Sequence, residues 1–410
     1  MSPTRNDRAG NERIRNELVK AERLTPDDGH YFFGYYDTPA WSESDRYHLC
    51  HKVDFFDRLP GPQDRAVLGF IDTLDHVFHP IAETTAWNFQ QGSMLQWHPA
   101  SPEHTVIYNV RKDGEYRGVV HDIRSGATRL LERPVANVDP TGQYAVSINF
   151  DRLFDFRPGY GYAGRTDPFK DDPHPEEDGI FLIDLAGGKS RLIVSLKQIW
   201  EFSQAGLQGK HRKLLINHIT FNTDGSRLVF LTRYFPEPGE KTWGTAVLTV
   251  NRDGSELFLL SDYSFASHYH WRDREHIVFY SLGAELGNDG RQLNVLRDRT
   301  HEGEIVDRRF FLKDGHCSYS PDRRFLLYDS YPDAEHYRHL YLYDLQKRRG
   351  VTLASCYSLP GIDGDIRCDL HPRWNRQGTH ISFDSTHEGR RHMYRMDLRG
   401  VLEEWAGAQD

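Results

Sequence analysis

Short runs in which apolar and polar residues alternate recur along almost the whole chain, and a turn-forming pair such as Asp-Gly, Ser-Gly or Gly-Gly interrupts many of them. Clear examples are "GVVHDIRSGATRLL", "IFLIDLAGGKSRLI" and "TAVLTVNRDGSELFLL". Alternation with a period of two residues predicts half-buried strands, and the intervening pairs predict tight hairpin turns. The pattern therefore predicts an all-β protein rich in hairpins.

A second unit precedes each of these hairpins: an aromatic or apolar residue, then a polar turn, then a β-rich run. This unit occurs seven times, with anchor residues Trp41, Trp97, Val138, Phe221, Trp271, Tyr319 and Trp374. One such unit and one hairpin supply four strands, and seven four-stranded sheets around one axis make a β-propeller. We therefore predict a seven-bladed β-propeller over residues 30–405, as a single domain. A β-sandwich with a second domain would not explain seven matched units.

Two parts of the chain depart from the repeat. Residues 1–29 are charged throughout, and "NERIRNELVKAERL" within them predicts a short helix, so we expect a short N-terminal helical extension. The spacing between the anchors Val138 and Phe221 is the longest of the series. We assign the additional residues to insertions at about 150–178 and 196–214. Long insertions commonly carry functional loops.

Histidine stands three positions before the anchor in four successive repeats, as His218, His268, His316 and His371. Equivalent positions of the innermost strands face the axis of a propeller, so we expect the four imidazoles to converge in its central funnel. A single histidine there is more often a hydrogen-bonded part of the wall, but four at one level favour a divalent metal, with Zn²⁺ or Mn²⁺ as candidates.

The stretch "IRCDLHPRW" places a cysteine three residues before His371. We predict a metal site made by His268, His316, Cys368 and His371, with zinc favoured because of the thiolate and manganese possible if an oxygen ligand takes its place. His270 and Cys317 lie one position from the main register and are reserve ligands. Asp369 is expected to orient an imidazole ligand through a hydrogen bond.

Other cationic, phenolic and amide side chains are predicted to surround the same funnel. They are His30, Tyr35, Tyr36, Asn149, Arg152, Arg157, Tyr160, Tyr162, His174, Arg233 and Arg373. Together they describe a polar, aromatic and locally basic cleft. Such a cleft suits an acidic sugar, which offers hydroxyl groups, a ring face and a carboxylate.

Composition narrows the class of partner. A net charge of −9 without any basic tract argues against a nucleic acid. No apolar run approaches the length of a membrane span, and no secretory signal is visible, so we expect a cytoplasmic protein without a membrane partner. The four cysteines are scattered, which favours reduced thiols. The sequence leaves the oligomeric state open.

Several stretches carry a family resemblance: "YFFGYYD", "QQGSMLQWHP", "RPGYGY", "INHITFNTDGSRLVFLTR", "SHYHW", "GHCSYSPD" and "CDLHPRW". Over nearly all of residues 30–400 the chain resembles the oligogalacturonate lyases and the related seven-bladed ulvan lyases. The resemblance implies β-elimination of uronic-acid glycosides to 4,5-unsaturated uronates, with a metal in the central funnel. In oligogalacturonate lyases that metal is usually manganese, held by histidines and a glutamine. Cys368 stands where that glutamine is expected, so the chain looks closer to the ulvan-lyase branch, in which zinc is structural.

The implied reaction needs a base, a group that neutralises the uronate carboxylate, and a proton donor. We assign the base to His218, neutralisation to Arg233 and the metal, and the donor to Tyr160, Tyr162 or a water. Asn149 and Arg152 complete the predicted catalytic set, and the predicted substrate-binding residues are Tyr35, Tyr36, His174 and Arg373.

Two other functions stay open at this level. One is a non-catalytic propeller that binds carbohydrate or protein around a structural zinc. The other is a glycoside hydrolase, since the 60 acidic residues could include a catalytic carboxylate pair. No Gly-x-Ser-x-Gly nucleophile elbow is present.

Overall fold

The structure, a computed structural model, describes residues 13–287 and 290–407. Seven antiparallel sheets are arranged as the blades of a propeller, which confirms the predicted fold. The first strands of neighbouring blades contact each other around the axis, as β11 (Asn137–Val138) does with β15 (Leu214–Phe221) and β19 (Ala266–Trp271) does with β23 (Cys317–Tyr319).

Blades 1 to 3 contain four strands each. Their strands are β3 (His30–Phe32), β4 (Tyr47–Val53), β5 (Ala66–Asp72) and β6 (Val77–Thr84) in blade 1; β7 (Gln96–Trp97), β8 (Thr105–Lys112), β9 (Glu115–Asp122) and β10 (Thr128–Leu130) in blade 2; and β11, β12 (Tyr144–Ser147), β13 (Gly179–Asp184) and β14 (Ser190–Ser195) in blade 3.

Blades 4 to 6 continue the pattern. Their strands are β15, β16 (Arg227–Tyr234), β17 (Thr245–Asn251) and β18 (Phe258–Ser264) in blade 4; β19, β20 (His276–Ser281), β21 (Gln292–Arg297) and β22 (Gly303–Ile305) in blade 5; and β23, β24 (Phe325–Asp329), β25 (Tyr337–Asp344) and β26 (Arg349–Tyr357) in blade 6.

The N-terminal segment completes the last two blades. Blade 7 consists of β27 (Arg373–Trp374), β28 (His380–Ser385), β29 (His392–Asp397) and the N-terminal strand β2 (Glu22–Arg23), while β1 (Ile14–Arg15) adds a fifth strand to blade 6. The predicted N-terminal helix is therefore wrong over residues 13–24, and the rest of the predicted segment, residues 1–12, lies outside the described residues. The open edges of β26 and β29 offer unpaired N–H and C=O groups, whereas an isolated helix of this length is marginal in water.

Three short helices accompany the strands. Helix α1 (Phe150–Phe156) and helix α2 (Leu196–Ser203) lie in the two predicted insertions, and α3 (Arg399–Gly407) follows blade 7. A capping box at Ser195 begins α2. Within the part of the chain that the structure describes, no helix is long and apolar enough to cross a membrane.

The aromatic anchors join each blade to the preceding one. The indole of Trp97 in blade 2 donates to the carbonyl of Ala40 in blade 1 at 3.0 Å, and that of Trp271 in blade 5 donates to Thr220 in blade 4 at 3.4 Å. Both indoles are buried among apolar side chains. At these two positions the indole fills the interface between blades and also satisfies its N–H donor. This packing fixes the height along the propeller axis of the residues that just precede each anchor.

Buried neutral histidines should make the fold sensitive to acid. His51 stacks on Phe32, and its Nε2 accepts from the backbone N–H of Ser93 at 2.9 Å. Burial lowers the pKa of His51 to about 3. Since the unfolded histidine titrates near 6.5, the unfolded state binds the extra proton first, and the stability present above that pH is lost as the pH falls below it. We expect about 2 kcal/mol of unfolding free energy to be lost at pH 5 from His51 alone.

Urea unfolding at pH 7.5 and pH 5 measures this loss. The variant His51→Gln should show a smaller difference between the two pH values, whereas His301→Gln, which removes an exposed histidine, should show the wild-type difference. An unchanged difference in His51→Gln would contradict the assignment.

Candidate active site

The four histidines three positions before the anchors meet in the central funnel. The Nε2 atoms of His316 and His371 are 3.2 Å apart, and the rings of His268 and His316 have centroids 3.9 Å apart. Tyr35 lies among them, stacked on His218 at 4.5 Å and edge-on to His371 at 5.0 Å. All five side chains are buried. The predicted convergence of imidazoles is therefore present.

The backbone is distorted at two of these histidines, one inside β15 and the other just before β27. His218 and His371 have φ angles of 56° and 43°, in the left-handed region, and the pairing of β15 with β16 shifts register across His218. A non-glycine residue in that region costs on the order of 1 kcal/mol, and a bulge re-aims the side chain it carries. The distortion turns the imidazoles into the funnel. Such strain concentrates at functional positions.

Three of the buried side chains form a group that can hold a metal ion. One ligand atom each from His316, Asp369 and His371 lies within 4.8 Å of the others, and among the described residues this is the one such group. Imidazole nitrogens that share an ion at about 2.0–2.1 Å lie roughly 3 Å apart, which matches the measured separation of the two Nε2 atoms. The donor set of two imidazoles and one carboxylate therefore fits a divalent cation.

Asp329 hydrogen-bonds both histidines of this group, the ring of His316 and the backbone of His371. Its Oδ1 accepts from Nδ1 of His316 at 2.9 Å, and its Oδ2 accepts from the backbone N–H of His371 at 3.1 Å. Because Nδ1 of His316 carries the proton in this hydrogen bond, its Nε2 keeps a free lone pair directed at His371. Asp329 itself is buried. A carboxylate behind an imidazole is the usual way in which proteins orient a metal-binding histidine.

Asp369 is held between two guanidinium groups. Arg338 and Arg367 each approach one of its oxygens at 2.7 Å. Burial alone would raise the pKa of Asp369, but these two cations hold it well below its usual range. Neither oxygen accepts a hydrogen bond of good geometry among the described residues. We predicted that Asp369 would only orient a ligand, but the structure places it within the ligand group.

Cys368 does not join this group, contrary to the prediction. Its thiol lies 4.0 Å from the carbonyl of Asp369, and burial raises its pKa to about 11. The adjacent Asp369 lies in the ligand group, whereas Cys368 does not. Cys317, the reserve ligand beside His316, packs in the hydrophobic core. His268 contacts His316 but lies outside the ligand group, and its Nδ1 bonds Asp314 at 3.0 Å.

His218 is a neutral imidazole in a polar cage. Its Nε2 is 3.1 Å from the hydroxyl of Tyr35, and its Nδ1 is 3.2 Å from the amide nitrogen of Gln91. Burial, followed by the nearby Arg233 cation, lowers the pKa of His218 well below its ordinary value. A neutral histidine has one lone pair that can take up a proton, and here it lies on Nδ1, where it accepts from the Gln91 amide. Gln91 was visible in the sequence only as part of "QQGSM".

Tyr160 and three arginines line the same part of the funnel. Arg367 donates to the hydroxyl oxygen of Tyr160 at 2.7 Å, and Arg157 lies 4.4 Å from the centre of its ring. The Tyr160 ring is edge-on to His218 at 5.3 Å. Arg233 is buried and bonded to Asn217 and to Thr245. Burial lowers the pKa of Arg233 to about 10, which still leaves it a cation at pH 7.

Trp243 is an aromatic residue that the sequence did not single out. It lies in the loop between β16 and β17, and 36% of its surface is exposed. The guanidinium groups of Arg157 and Arg233 lie 5.8 Å and 5.9 Å from its ring centroid. An exposed indole beside two arginines is a surface on which the ring of an acidic sugar can stack. No repeat or motif marks the loop residue.

Four predicted contacts with substrate belong instead to the framework of the first insertion. Asn149 caps helix α1 and donates to Asp167 at 2.9 Å. Arg152 pairs with Asp167 at 3.1 Å and donates to four backbone carbonyl groups. Tyr162 accepts from Asn109 and stacks on Phe150. His174 bonds the carbonyl of Arg212 and stacks on Trp200. Their polar atoms hold the first insertion together and attach it to β8, to β15 and to the second insertion.

Three further predicted residues also lie apart from the histidines. Arg373 is buried in an ion pair with Asp384 at 2.8 Å, and His30 packs on Phe56. The reserve ligand His270 lies two residues beyond His268 and lines a different cavity. By contrast, Tyr36 does reach the cluster, with its ring 5.1 Å from that of His316. Its hydroxyl, however, donates to the carbonyl of Tyr269.

Comparison with known proteins supports the fold. No family model matches the chain, and no curated protein does. A solved structure of an oligogalacturonate lyase in complex with manganese superposes with a TM-score of 0.67 at 16% identity, over 95% of this chain and 96% of that one. The chain thus shares the seven-bladed fold of oligogalacturonate lyases. This confirms the predicted resemblance as a structural one.

Two further structures agree. An oligogalacturonate lyase from Vibrio parahaemolyticus gives a TM-score of 0.63 at 15% identity, again over 95% of this chain and 96% of that one. The β-propeller domain of the Trilobed protease from Pyrococcus furiosus gives 0.53 at 9% identity, over 89% and 96%. At these identities the likeness establishes the architecture, and the chemistry has to be argued from the residues of this chain.

Proposed function

We propose that this protein is a carbon–oxygen lyase that cleaves uronic-acid-containing oligosaccharides or polysaccharides by β-elimination. The observation that carries the proposal is the meeting of a neutral imidazole, a phenol and buried guanidinium groups beside a metal-compatible group in one funnel. β-Elimination next to a carboxylate needs these three kinds of group together: a base, a proton donor and a positive charge.

His218 is the base in this scheme. It takes the C5 proton, which lies next to the uronate carboxylate, into the lone pair of its neutral ring. Arg233 lies beside it and lowers the pKa of His218 further than burial alone does. The same guanidinium can pair with the uronate carboxylate as negative charge builds up at C5. Gln91 and Tyr35 hold the imidazole from its two nitrogens.

Tyr160 is the proton donor. Its oxygen already accepts a hydrogen bond from Arg367, so its own proton is free to pass to the leaving glycosidic oxygen. The edge-on position beside His218 puts the phenol on the same side of the funnel as the base. Tyr162 is the poorer candidate, because its oxygen accepts a hydrogen bond from Asn109 of β8.

His316, His371 and Asp369 would hold the divalent cation. A bound ion would supply a Lewis acid that helps neutralise the uronate carboxylate. Zinc was favoured because of a sulfur ligand. The ligand group contains none, and imidazole and carboxylate donors suit both zinc and manganese. We therefore propose a divalent metal and leave the choice between these two to metal analysis.

Incubation with a panel of uronic-acid oligosaccharides tests the proposal. Elimination creates a double bond conjugated to the carboxylate, which absorbs in the ultraviolet, whereas hydrolysis and binding create none. We expect absorbance to rise with at least one member of the panel. New reducing ends without absorbance would indicate a glycoside hydrolase, and neither signal across the panel would favour a binding propeller.

Trp243 is expected to contribute to substrate affinity. The variant Trp243→Ala should raise KM by about tenfold, because stacking on an exposed indole is worth roughly 1 kcal/mol or more, while kcat should change less. Steady-state kinetics on the preferred oligosaccharide measure both constants. Trp200→Ala, which removes an indole stacked on His174 in the insertion, is the matched control and should leave KM unchanged. An unaltered KM in Trp243→Ala would show that the indole does not touch substrate.

A further inference from the structure

A second cavity lies further along the central channel than the histidine cluster. It has a volume of about 420 Å³, and the same innermost strands line it two to five residues downstream of the histidines, with Thr220, His270 and Arg376 among its walls. An adjoining cavity of about 190 Å³ shares Asp37, His270 and Arg376 with it. At about 3.3 Å per residue, this lining lies roughly 7 Å or more beyond the imidazoles along the axis.

The lining of this cavity is rich in positive charge. Arg323 and Arg376 both contribute to it, and Asp37 is the one carboxylate of its described lining. Burial raises the pKa of Asp37 to about 7, which weakens its negative charge near neutral pH. Two further acids lie near the arginines but outside this lining: Asp45 accepts from Asn375 and from the backbone N–H of Arg376, and Asp273 pairs with His276.

Arg323 is a solvent-exposed residue at the edge of this cavity. Among the described residues, no hydrogen bond, close ion pair or ring contact involves its guanidinium, although the carboxylates of Asp273 and Asp322 lie close enough to raise its pKa. Burial lowers its pKa, and its charge in turn lowers the pKa of the buried His270 beside it. Arg376 uses Nε on the carbonyl of Trp41 and leaves the rest of its fork free. Two guanidinium groups with free N–H donors at one cavity can together bind an anion.

The backbone conformation at Arg323 also supports an anion site here. Its φ angle is 63°, and its N–H donates to Ser320 in the turn after the innermost strand. The same turn has Gly142, Gly225 and Gly378 at the corresponding position in three other blades, with φ angles of 71°, 72° and 69°. Glycine adopts this conformation without strain, whereas arginine does not. Blade 6 thus keeps an arginine where the backbone favours glycine.

Aromatic residues complete the wall. Tyr269 and Trp271 line the larger cavity, and Tyr319 lines the adjoining one. The hydroxyl groups of Tyr319 and of its neighbour Ser318 have no hydrogen-bond partner among the described residues. Cations, spare donors and flat apolar faces together suit an anion that carries a carbon skeleton more than a bare inorganic ion. The cavity has the size typical of small-ligand sites.

We propose that this second mouth of the channel is a binding site for a small hydroxylated carboxylate, of the size of one sugar acid, anchored by Arg323 and Arg376. Its carboxylate would pair with the free guanidinium forks, and its skeleton would lie against the aromatic wall. The site is separate from the histidine cluster and does not depend on the proposed lyase activity.

Calorimetric titration with galacturonate, neutral galactose and inorganic phosphate tests the proposal. We expect galacturonate to bind, and galactose and phosphate to bind at least about tenfold more weakly. Arg323→Gly should weaken galacturonate binding at this site by about tenfold or more, and it cannot fail for backbone reasons because glycine suits the turn. Arg376→Gln should also weaken it, whereas Arg274→Gln, which removes an exposed arginine of the neighbouring blade, should not.

A further variant distinguishes galacturonate binding at this site from galacturonate binding in the histidine funnel. Arg233→Gln should leave the Arg323-dependent site intact, so this site stays measurable even if the proposed lyase activity is absent. Equal binding by wild type, Arg323→Gly and Arg376→Gln would overturn the proposal. Phosphate binding as tight as that of galacturonate would overturn the assignment to a carboxylate.

Discussion

Replacing His218 with alanine is expected to lower kcat by about 10²- to 10⁴-fold, the usual contribution of a positioned general base. The variant removes the neutral imidazole that lies between Tyr35, Gln91 and Tyr160. Since the arginines that bind the carboxylate remain, KM should change far less than kcat. The rate at which ultraviolet absorbance rises, measured over a range of concentrations of the preferred uronide, gives both kcat and KM.

Two controls separate a catalytic role of His218 from a structural one. His174→Ala should keep kcat within about twofold of wild type, because that ring is stacked on Trp200 in the insertion and not in the funnel. Added imidazole should restore part of the activity of His218→Ala, because the vacated space can admit the free base. Full activity in His218→Ala would refute the assignment of the base.

Replacing His316 with alanine is expected to abolish retention of the divalent metal. His316 is the central member of the ligand group, 3.2 Å from the Nε2 atom of His371. Asp329→Asn should weaken metal affinity by about 10- to 100-fold, because the oriented hydrogen bonds to His316 and His371 are disturbed while both ligands remain. Metal content after dialysis, measured by elemental analysis, gives the result.

Cys368→Ser is the informative control for this experiment. The variant should retain the metal at the wild-type level, since the thiol lies outside the ligand group. Loss of the metal in Cys368→Ser would favour the cysteine ligand predicted from the sequence and contradict the structure-based group. Retention of the metal in His316→Ala would contradict both ligand sets.

The fold was predictable because its determinants are local and repeated. Each anchor, such as Trp97 or Trp271, marks one blade, and the alternating hairpins that follow supply the outer strands. The alignment of the repeats also predicted that the four histidines lie at one height along the propeller axis. The N-terminal strands were not predictable, since "NERIRNELVKAERL" has a helical pattern and its partners, β26 and β29, lie more than 300 residues away.

The ligand set was harder to predict than the fold. Neighbouring residues of an extended segment face opposite ways, so the choice between Cys368 and Asp369 depended on the local backbone, and the left-handed conformation at His371 is invisible in a sequence. Asp329 is the last residue of β24, which pairs with the strand that begins just after His316, and no motif joins it to the histidines. The predictions in the insertions were wrong for a similar reason, because Arg152 and His174 bond backbone carbonyls of the two insertions.

The mass of the products made from a single uronic-acid oligosaccharide tests the central claim most directly. The chemistry assigned to His218 and Tyr160 breaks a C–O bond without adding water. The account therefore predicts two products whose masses sum to that of the substrate, one of them an unsaturated uronate. Products whose masses sum to the substrate plus one water would show hydrolysis and contradict the account.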